Sequence, residues 1–326
     1  MNPLTGIYGA VTALRNTLFD RGVLRSRRLQ QPVISVGNLS VGGSGKTPFV
    51  IALGELLKER GILFDVLSRG YGRKTRGVLV VEPDGDASDF GDEPLLIARR
   101  LGVPVIVGES RYEAGRLAEQ KIQTQLHILD DGFQHRSLAR NFDIVLLTAA
   151  DLDDRLLPSG RLREPLASLA RAHAIVLSRD FFGPGALVPP AIKSFATSGK
   201  FVWRMQRKLE LPAAAPASPL VFCAIARPKQ FFAQVRAERI TPAAEVEFRD
   251  HHRYDSGDVK RLLALRAQQH ASGFLTTEKD AVNLGALQAE LNPLAIAVLT
   301  LTFDQPMELA NAILTNTILA SGGGSV

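Results

Sequence analysis

The sequence is nearly without cysteine. Cys223 is the only one in 326 residues, which rules out an internal disulfide and a cysteine-based metal site and fits a reducing compartment. Long apolar runs are missing too: nothing approaches the roughly 20 residues of a membrane-spanning helix. The apolar residues at the start are spaced, not contiguous, and no small-residue cleavage site follows them, so no signal peptide is expected. There are no repeats, and the one biased tract is the Gly-Ser end from Ser321 to Ser325, a composition that predicts disorder. These absences together predict a cytoplasmic protein.

What is present describes a globular chain. Its length suggests two domains. Hydrophobic residues make up 45% and charged residues 22%, enough to bury a full core. The net charge of +6 favours anionic partners: nucleotides, nucleic acid or an anionic membrane face.

The most informative stretch is VISVGNLSVGGSGKTPFV, from Val33 to Val50. Val33, Ile34 and Val36 read as a buried strand. A glycine-rich turn with Gly42, Gly43, Ser44 and Gly45 follows, then Lys46, Thr47 and an apolar helix. Glycines let the backbone turn its N–H groups toward phosphate oxygens, and the helix N-terminus adds its dipole. The lysine reaches the outer phosphates and the threonine hydroxyl can ligate Mg²⁺. Ser40 stands where the strict phosphate-loop pattern has glycine.

Residues 3 to 19 carry one helical stripe, Leu4, Ile7, Tyr8, Val11, Leu14 and Leu18, with Asn2 as a cap and Pro3 at the first position. Arg15, Arg21, Arg25, Arg27 and Arg28 accompany it. Two readings stand: a helix lying in a membrane interface, or one packed on the protein's own core with solvated arginines. Strands are predicted at 62–67, 78–82, 103–107, 126–129, 142–147 and 174–177, alternating with helices. SRGYGRK supplies Arg69, Arg73 and Lys74 after a strand, either as a phosphate clamp or as a plain basic loop. FGDEP puts Asp92 and Glu93 at a helix start, where acids also simply complement the dipole. LDDGFQH ends a strand in Asp130 and Asp131, the place of a metal-holding carboxylate opposite a phosphate loop. LPSGRLREP offers Arg161 and Arg163, which either stabilise phosphoryl charge or are solvated. Residues 180–218, rich in Pro, Ala and Gly, read as a connector with an extended 201–211 segment. A smaller α/β domain follows, with RDHHRY (His251, His252) and TTEKDAVN after its strands. Strand-tip histidines are acid–base candidates or solvated loop residues.

In this order, GNLSVGGSGKTP, SRGYGRK, GDEP, DDGFQH, LPSGRLREP, DHH and TEKDAV resemble the tetraacyldisaccharide 4′-kinase family of lipid A biosynthesis, over residues 1 to about 300. The resemblance implies ATP-dependent phosphorylation of the 4′-hydroxyl of a tetraacylated glucosamine disaccharide 1-phosphate, at the cytoplasmic face of the inner membrane. The implied partners are the lipid disaccharide and an anionic membrane surface, with no nucleic acid. The implied fold is α/β: a P-loop NTPase-like, mostly parallel sheet domain (1–200) and a smaller α/β domain (201–326) joined by an extended, two-stranded linker. By motif, Lys46 and Thr47 hold ATP and Mg²⁺. Asp92 is the general base with His251 in support, Glu93, Asp130 and Asp131 lie at the metal, and Arg163 is catalytic. The family pattern shares Ser40. Two alternatives remain, another P-loop ligase or synthetase and a nucleotide switch. Against a guanine switch, Thr277-Glu278-Lys279-Asp280 has its lysine one place too late for Asn-Lys-x-Asp.

Overall fold

The β-branched run Val33–Asn38 forms β1, buried along its whole length. A strand covered on both faces favours a nearly continuous apolar run over alternation. The computed structural model describes residues 3–43, 45–179, 181 and 188–319; Asn2, Ser44 and the Gly-Ser end lie outside them. Before β1 comes α1 (Pro3–Asp20). After it come α2 (Lys46–Glu59), β2 (Phe64–Ser68), β3 (Leu79–Val80), α3 (Ala87–Phe90), α4 (Asp92–Leu101), β4 (Val105–Val107), α5 (Arg111–Lys121), β5 (Leu126–Asp130), β6 (Phe142–Leu147), α6 (Ala149–Leu152) and β7 (Ala174–Ser178). The later chain forms α7 (Pro190–Thr197), β8 (Phe201–Glu210), β9 (Leu220–Cys223), α8 (Pro228–Ala237), β10 (Ala244–Glu247), α9 (Ser256–Gln268), β11 (Phe274–Thr277), α10 (Glu278–Leu284), β12 (Leu294–Phe303) and α11 (Pro306–Leu314).

Among the described residues these strands join in one sheet, ordered β10-β9-β11-β12-β8-β7-β6-β1-β5-β2-β4-β3. It is mixed but mostly parallel, with antiparallel pairing only at β3–β4 and β8–β12. β1 lies between β5 and β6, with Val36 opposite Asp130. The phosphate loop at the end of β1 therefore opens beside the acidic tip of β5, at the carboxyl edge where ligands bind in such sheets.

Two apolar regions flank the β8–β12 ladder. Phe49, Leu53, Leu95, Ile97 and Phe142 belong to the first. Phe222, Val259, Leu262 and Phe274 fill one face of the second, and Phe231, Val235 and Leu275 the other. The ladder serves both: Trp203, Met205 and Leu301 pack in the first region, Leu209, Ala295 and Ala297 in the second. The predicted connector therefore holds a ten-residue strand of the sheet, and it also contains α7. Leu309, Ala310 and Ile313 of α11, late in the chain, pack in the first region.

Candidate active site

The phosphate loop is built by glycine at the positions that need it. Gly45 has φ 87° just before α2, a conformation open to glycine at little cost. A Cβ there would also meet the Arg207 guanidinium at 2.9 Å. Gly37 allows a second close approach, since its Cβ would lie 2.6 Å from that of Phe133. The Asp-Asp-Gly-Phe turn can thus lie flat against β1.

That approach assembles the first cluster. Arg163 donates to both carboxylate oxygens of Asp131, at 2.9 and 2.8 Å. Lys46 Nζ stands 3.5 Å from Asp131 Oδ1 and donates to Asn38 Oδ1 at 3.1 Å. Arg163 also donates to Asn38 Oδ1. Burial works to raise the Asp131 carboxyl, but Lys46 and Arg163 outweigh it and hold it far below the usual carboxylate range. Asp130 goes the other way, pushed up to about 7 by burial, Glu93 and Asp131, against the pull of Lys46 and Ser68. Its Oδ2 accepts from Ser68 Oγ at 3.1 Å, while the buried Oδ1 has no hydrogen-bond partner among the described residues.

A second cluster joins the start of α4 to the loop after β10 and to α10. Asp92 opens α4 and Glu93 follows it. His251 Nδ1 lies 2.9 Å from Asp92 Oδ2, and Asn283 Nδ2 donates to the same oxygen at 3.3 Å. Burial would raise the Asp92 carboxyl, yet the His251 hydrogen bond and the Lys279 charge prevail and pull it down to about 2. The hydrogen bond to Asp92 in turn raises His251, against burial and the Lys279 charge. His251 has φ 58° and Asp131 φ 48°, a left-handed backbone that costs non-glycine residues energy and concentrates at functional sites.

Both clusters border one cleft of about 740 Å³, lined among others by Gly42, Gly43, Gly45, Lys46, Thr47, Glu93, Asp130, Asp131, Arg163 and His251. Asp92 is only 5% exposed and sits behind His251, whose side chain is 29% exposed. Arg15, Arg69 and Arg111 give the cleft a cationic wall, with His135 beside them. Burial and Arg69 lower the Arg111 guanidinium to about 10, and burial and Arg111 lower His135 to about 4. Not every candidate arrives there. Arg73 is tied to Glu109 and Arg161 to Asp154, and Lys74 is exposed. His252 contacts Asp258 at 2.7 Å, bracing the start of α9.

Several cleft residues had no sequence signal assigned to them. Arg111 is chemically plain until the fold brings it in, as is Asn38, buried behind Lys46 and Arg163, and Arg207 lies in the stretch read as a connector. Lys279 lies within TTEKDAVN, where nothing in the local sequence sets it apart from a surface lysine.

Strand, glycine loop and helix with Lys46 at its start, beside acids on the neighbouring strand tip, place the chain in the class of P-loop phosphotransferases. The family model described as "Tetraacyldisaccharide-1-P 4'-kinase" matches residues 1–318. A tetraacyldisaccharide 4′-kinase of Koribacter versatilis is 49% identical over 310 residues, 92% of this chain and 94% of that one. That of Aquifex aeolicus is 38% identical over 289 residues, 86% and 88% of the two chains. The crystal structure of LpxK from Aquifex aeolicus in complex with ATP superposes with a TM-score of 0.79 at 34% identity, covering 97% of this chain and 98% of that one. The chain belongs to the tetraacyldisaccharide-1-P 4′-kinase family, and ATP-dependent phosphorylation of a tetraacyldisaccharide in lipid A synthesis is its activity. Neither the ligase nor the switch alternative is better supported.

Proposed function

We propose that the two clusters divide the transfer of the ATP γ-phosphoryl group to the 4′-hydroxyl of the disaccharide. Lys46 and the backbone N–H groups of the loop hold the phosphates, and Arg163 stabilises charge on the group in flight. The Asp92–His251 pair receives the hydroxyl proton as the new P–O bond forms and the bond to ADP breaks. Asp92, held down to about 2, is a weak base alone; hydrogen-bonded to His251, it titrates as part of a pair. The cationic wall of Arg15, Arg69 and Arg111 suits the anionic sugar phosphate. One observation carries this reading: His251 on Asp92 at 2.9 Å and Arg163 on Asp131 at 2.8 Å border the same cleft.

The donor set fits Mg²⁺. Asp130 presents a buried carboxylate oxygen without a partner among the described residues, with Thr47, Glu93 and Asp131 on the same cleft. Among the described residues no three of His, Cys, Asp and Glu could enclose a metal ion by themselves. Mg²⁺ takes one or two carboxylates and fills its shell with phosphates and water. Asp130 and Thr47 would hold it, with Glu93 nearby. Asp131 is engaged by Arg163 and Lys46. When bound, the ion would neutralise phosphate charge.

The chain works as a peripheral protein at the cytoplasmic face of the inner membrane. No described helix is long and apolar enough to cross a membrane. In α1, Leu4 is 58% exposed and Ile7, Val11 and Leu14 each 61%. Tyr8 departs from the predicted stripe and turns to the protein, where the helix is fastened: Tyr8 donates to the Arg163 carbonyl, Asn16 to Glu164, and Arg15 to the Gln134 carbonyl. Of two earlier alternatives, this supports the interfacial helix. The charged partner is an anionic membrane surface, and no nucleic acid is needed.

Turnover of Lys46→Ala and Arg163→Ala tests the site. Each should lose roughly 10²-fold or more, the typical worth of one electrostatic stabiliser. A chelator should abolish activity and added Mg²⁺ restore it. Near-normal turnover in either folded variant rejects the site as placed.

A further inference from the structure

We propose that Lys279 is a positioning residue for the phosphoryl transfer, a cation that fixes Glu93 and the Asp92–His251 pair in one constellation. The proposal rests on the role given above to that pair, and extends it to a residue with no assigned part.

The geometry is specific. Lys279 Nζ lies 3.3 Å from Glu93 Oε1, 3.3 Å from His251 Nε2 and 3.5 Å from Asp92 Oδ2. Asp250 Oδ1 is 4.0 Å away. Three carboxylates thus surround one ammonium whose side chain is 18% exposed. A lysine is rarely buried this far unless paired. An ammonium has only donors to offer. If it donates to His251 Nε2, the imidazole is in the tautomer that keeps its proton on Nδ1, donated to Asp92. The same cation offsets the repulsion between the adjacent Asp92 and Glu93.

The fold holds Lys279 firmly. Its neighbour Asp280 is fully buried and accepts from Ala224 N–H at 2.8 Å, from Tyr254 Oη at 2.8 Å and from Thr277 Oγ1 at 2.5 Å. This pins the first turn of α10 under β9. In the same turn, Glu278 takes two hydrogen bonds from Arg100 of α4, at 2.7 and 2.9 Å. Asn283, four residues after Lys279 and on the same helix face, reaches Asp92. The start of α10 is therefore a mount held against α4, and Lys279 stands on the wall of the cleft beside Glu278.

The test compares Lys279→Met and Lys279→Arg with the intact chain, each checked by thermal melt. Steady-state kinetics would be measured with ATP and a detergent-dispersed tetraacyldisaccharide 1-phosphate. Lys279→Met should lower kcat by roughly 10²-fold, as for loss of one preorganised charge, with KM for ATP little changed. Lys279→Arg, which keeps the charge, should recover at least part of the loss. The double variant Lys279→Met/Glu93→Gln should lose less than the sum of the singles in log rate. The proposal is overturned if folded Lys279→Met keeps kcat within about twofold, or if its loss falls entirely on KM for ATP. It is also overturned if Lys279→Arg folds yet recovers nothing. Asp92→Asn, run in parallel, separates the two claims: full activity there defeats the base assignment, while the Lys279–Glu93 coupling still reports on Lys279.

Discussion

Placing an aspartate at Val11 separates a membrane face from a packed one. Val11 is 61% exposed, and α1 contains no fully buried residue, so Val11→Asp should leave folding nearly untouched. Surface changes of this kind usually fall within about 0.5 kcal/mol. In an interface the result differs. Fully burying an aliphatic side chain is worth about 1.5–3 kcal/mol, so covering the exposed 61% of Val11 contributes about 1–2 kcal/mol. Leu4, Ile7 and Leu14 add comparable amounts, and the exposed Arg21, Arg25 and Arg28 add about 1 kcal/mol each at an anionic surface. Losing one apolar side chain and adding a negative charge should weaken vesicle binding by about tenfold or more. Co-sedimentation with anionic vesicles, alongside a thermal melt, reads both quantities. A melting point lowered by many degrees with unchanged vesicle binding would mean that the face packs on protein.

Changing Asp92→Asn and His251→Ala together should cost less than the sum of the single losses in log rate; full additivity would show that the two act separately. His127, buried on β5 with Nδ1 2.8 Å from Asp65, has its pKa raised by Asp65 and Glu119 despite burial. Its contribution to stability is therefore complete below the unfolded value of about 6.5 and fades as pH rises through the higher folded value. His127→Gln should flatten the melting temperature over that rise, and an equally steep profile in the variant would refute the pairing. Gly37→Ala should destabilise by about 1–3 kcal/mol, because its Cβ would fall 2.8 Å from the Phe133 backbone nitrogen. An unaltered urea midpoint would contradict that contact.

Most of the fold was readable because the strands and helices that build the sheet carry strong local patterns. The runs at Val33–Asn38 and Phe142–Leu147 are buried along their whole length and rich in aliphatic residues, and the stripe of α1 is regular. What escaped depends on tertiary contacts. The seven-residue α10 is held by buried Asp280, a residue indistinguishable in sequence from a solvated one. β8, which alternates along Trp203, Met205 and Leu209, is legible as an extended segment, but nearby proline, alanine and glycine hide its place in the main sheet, and α11 gave no hint that it crosses back to α2. For the site, glycine loops and strand-tip acids announce themselves by spacing. The distance from Asp92 to His251 spans 159 positions and was approached only through resemblance. Lys279 and Asn38 became visible only when their neighbours did.

On the proposed reading, this cleft moves the γ-phosphoryl group of ATP onto a lipid-sugar hydroxyl. Transfer of labelled γ-phosphate to tetraacyldisaccharide 1-phosphate, measured for the intact chain and for Lys46→Met, is the decisive assay. The intact chain should yield product one phosphate heavier, at the 4′ position and only with the acceptor present, with transfer falling roughly 10²-fold or more in the variant. ATP consumption independent of the acceptor, or equal transfer by folded Lys46→Met, would contradict it.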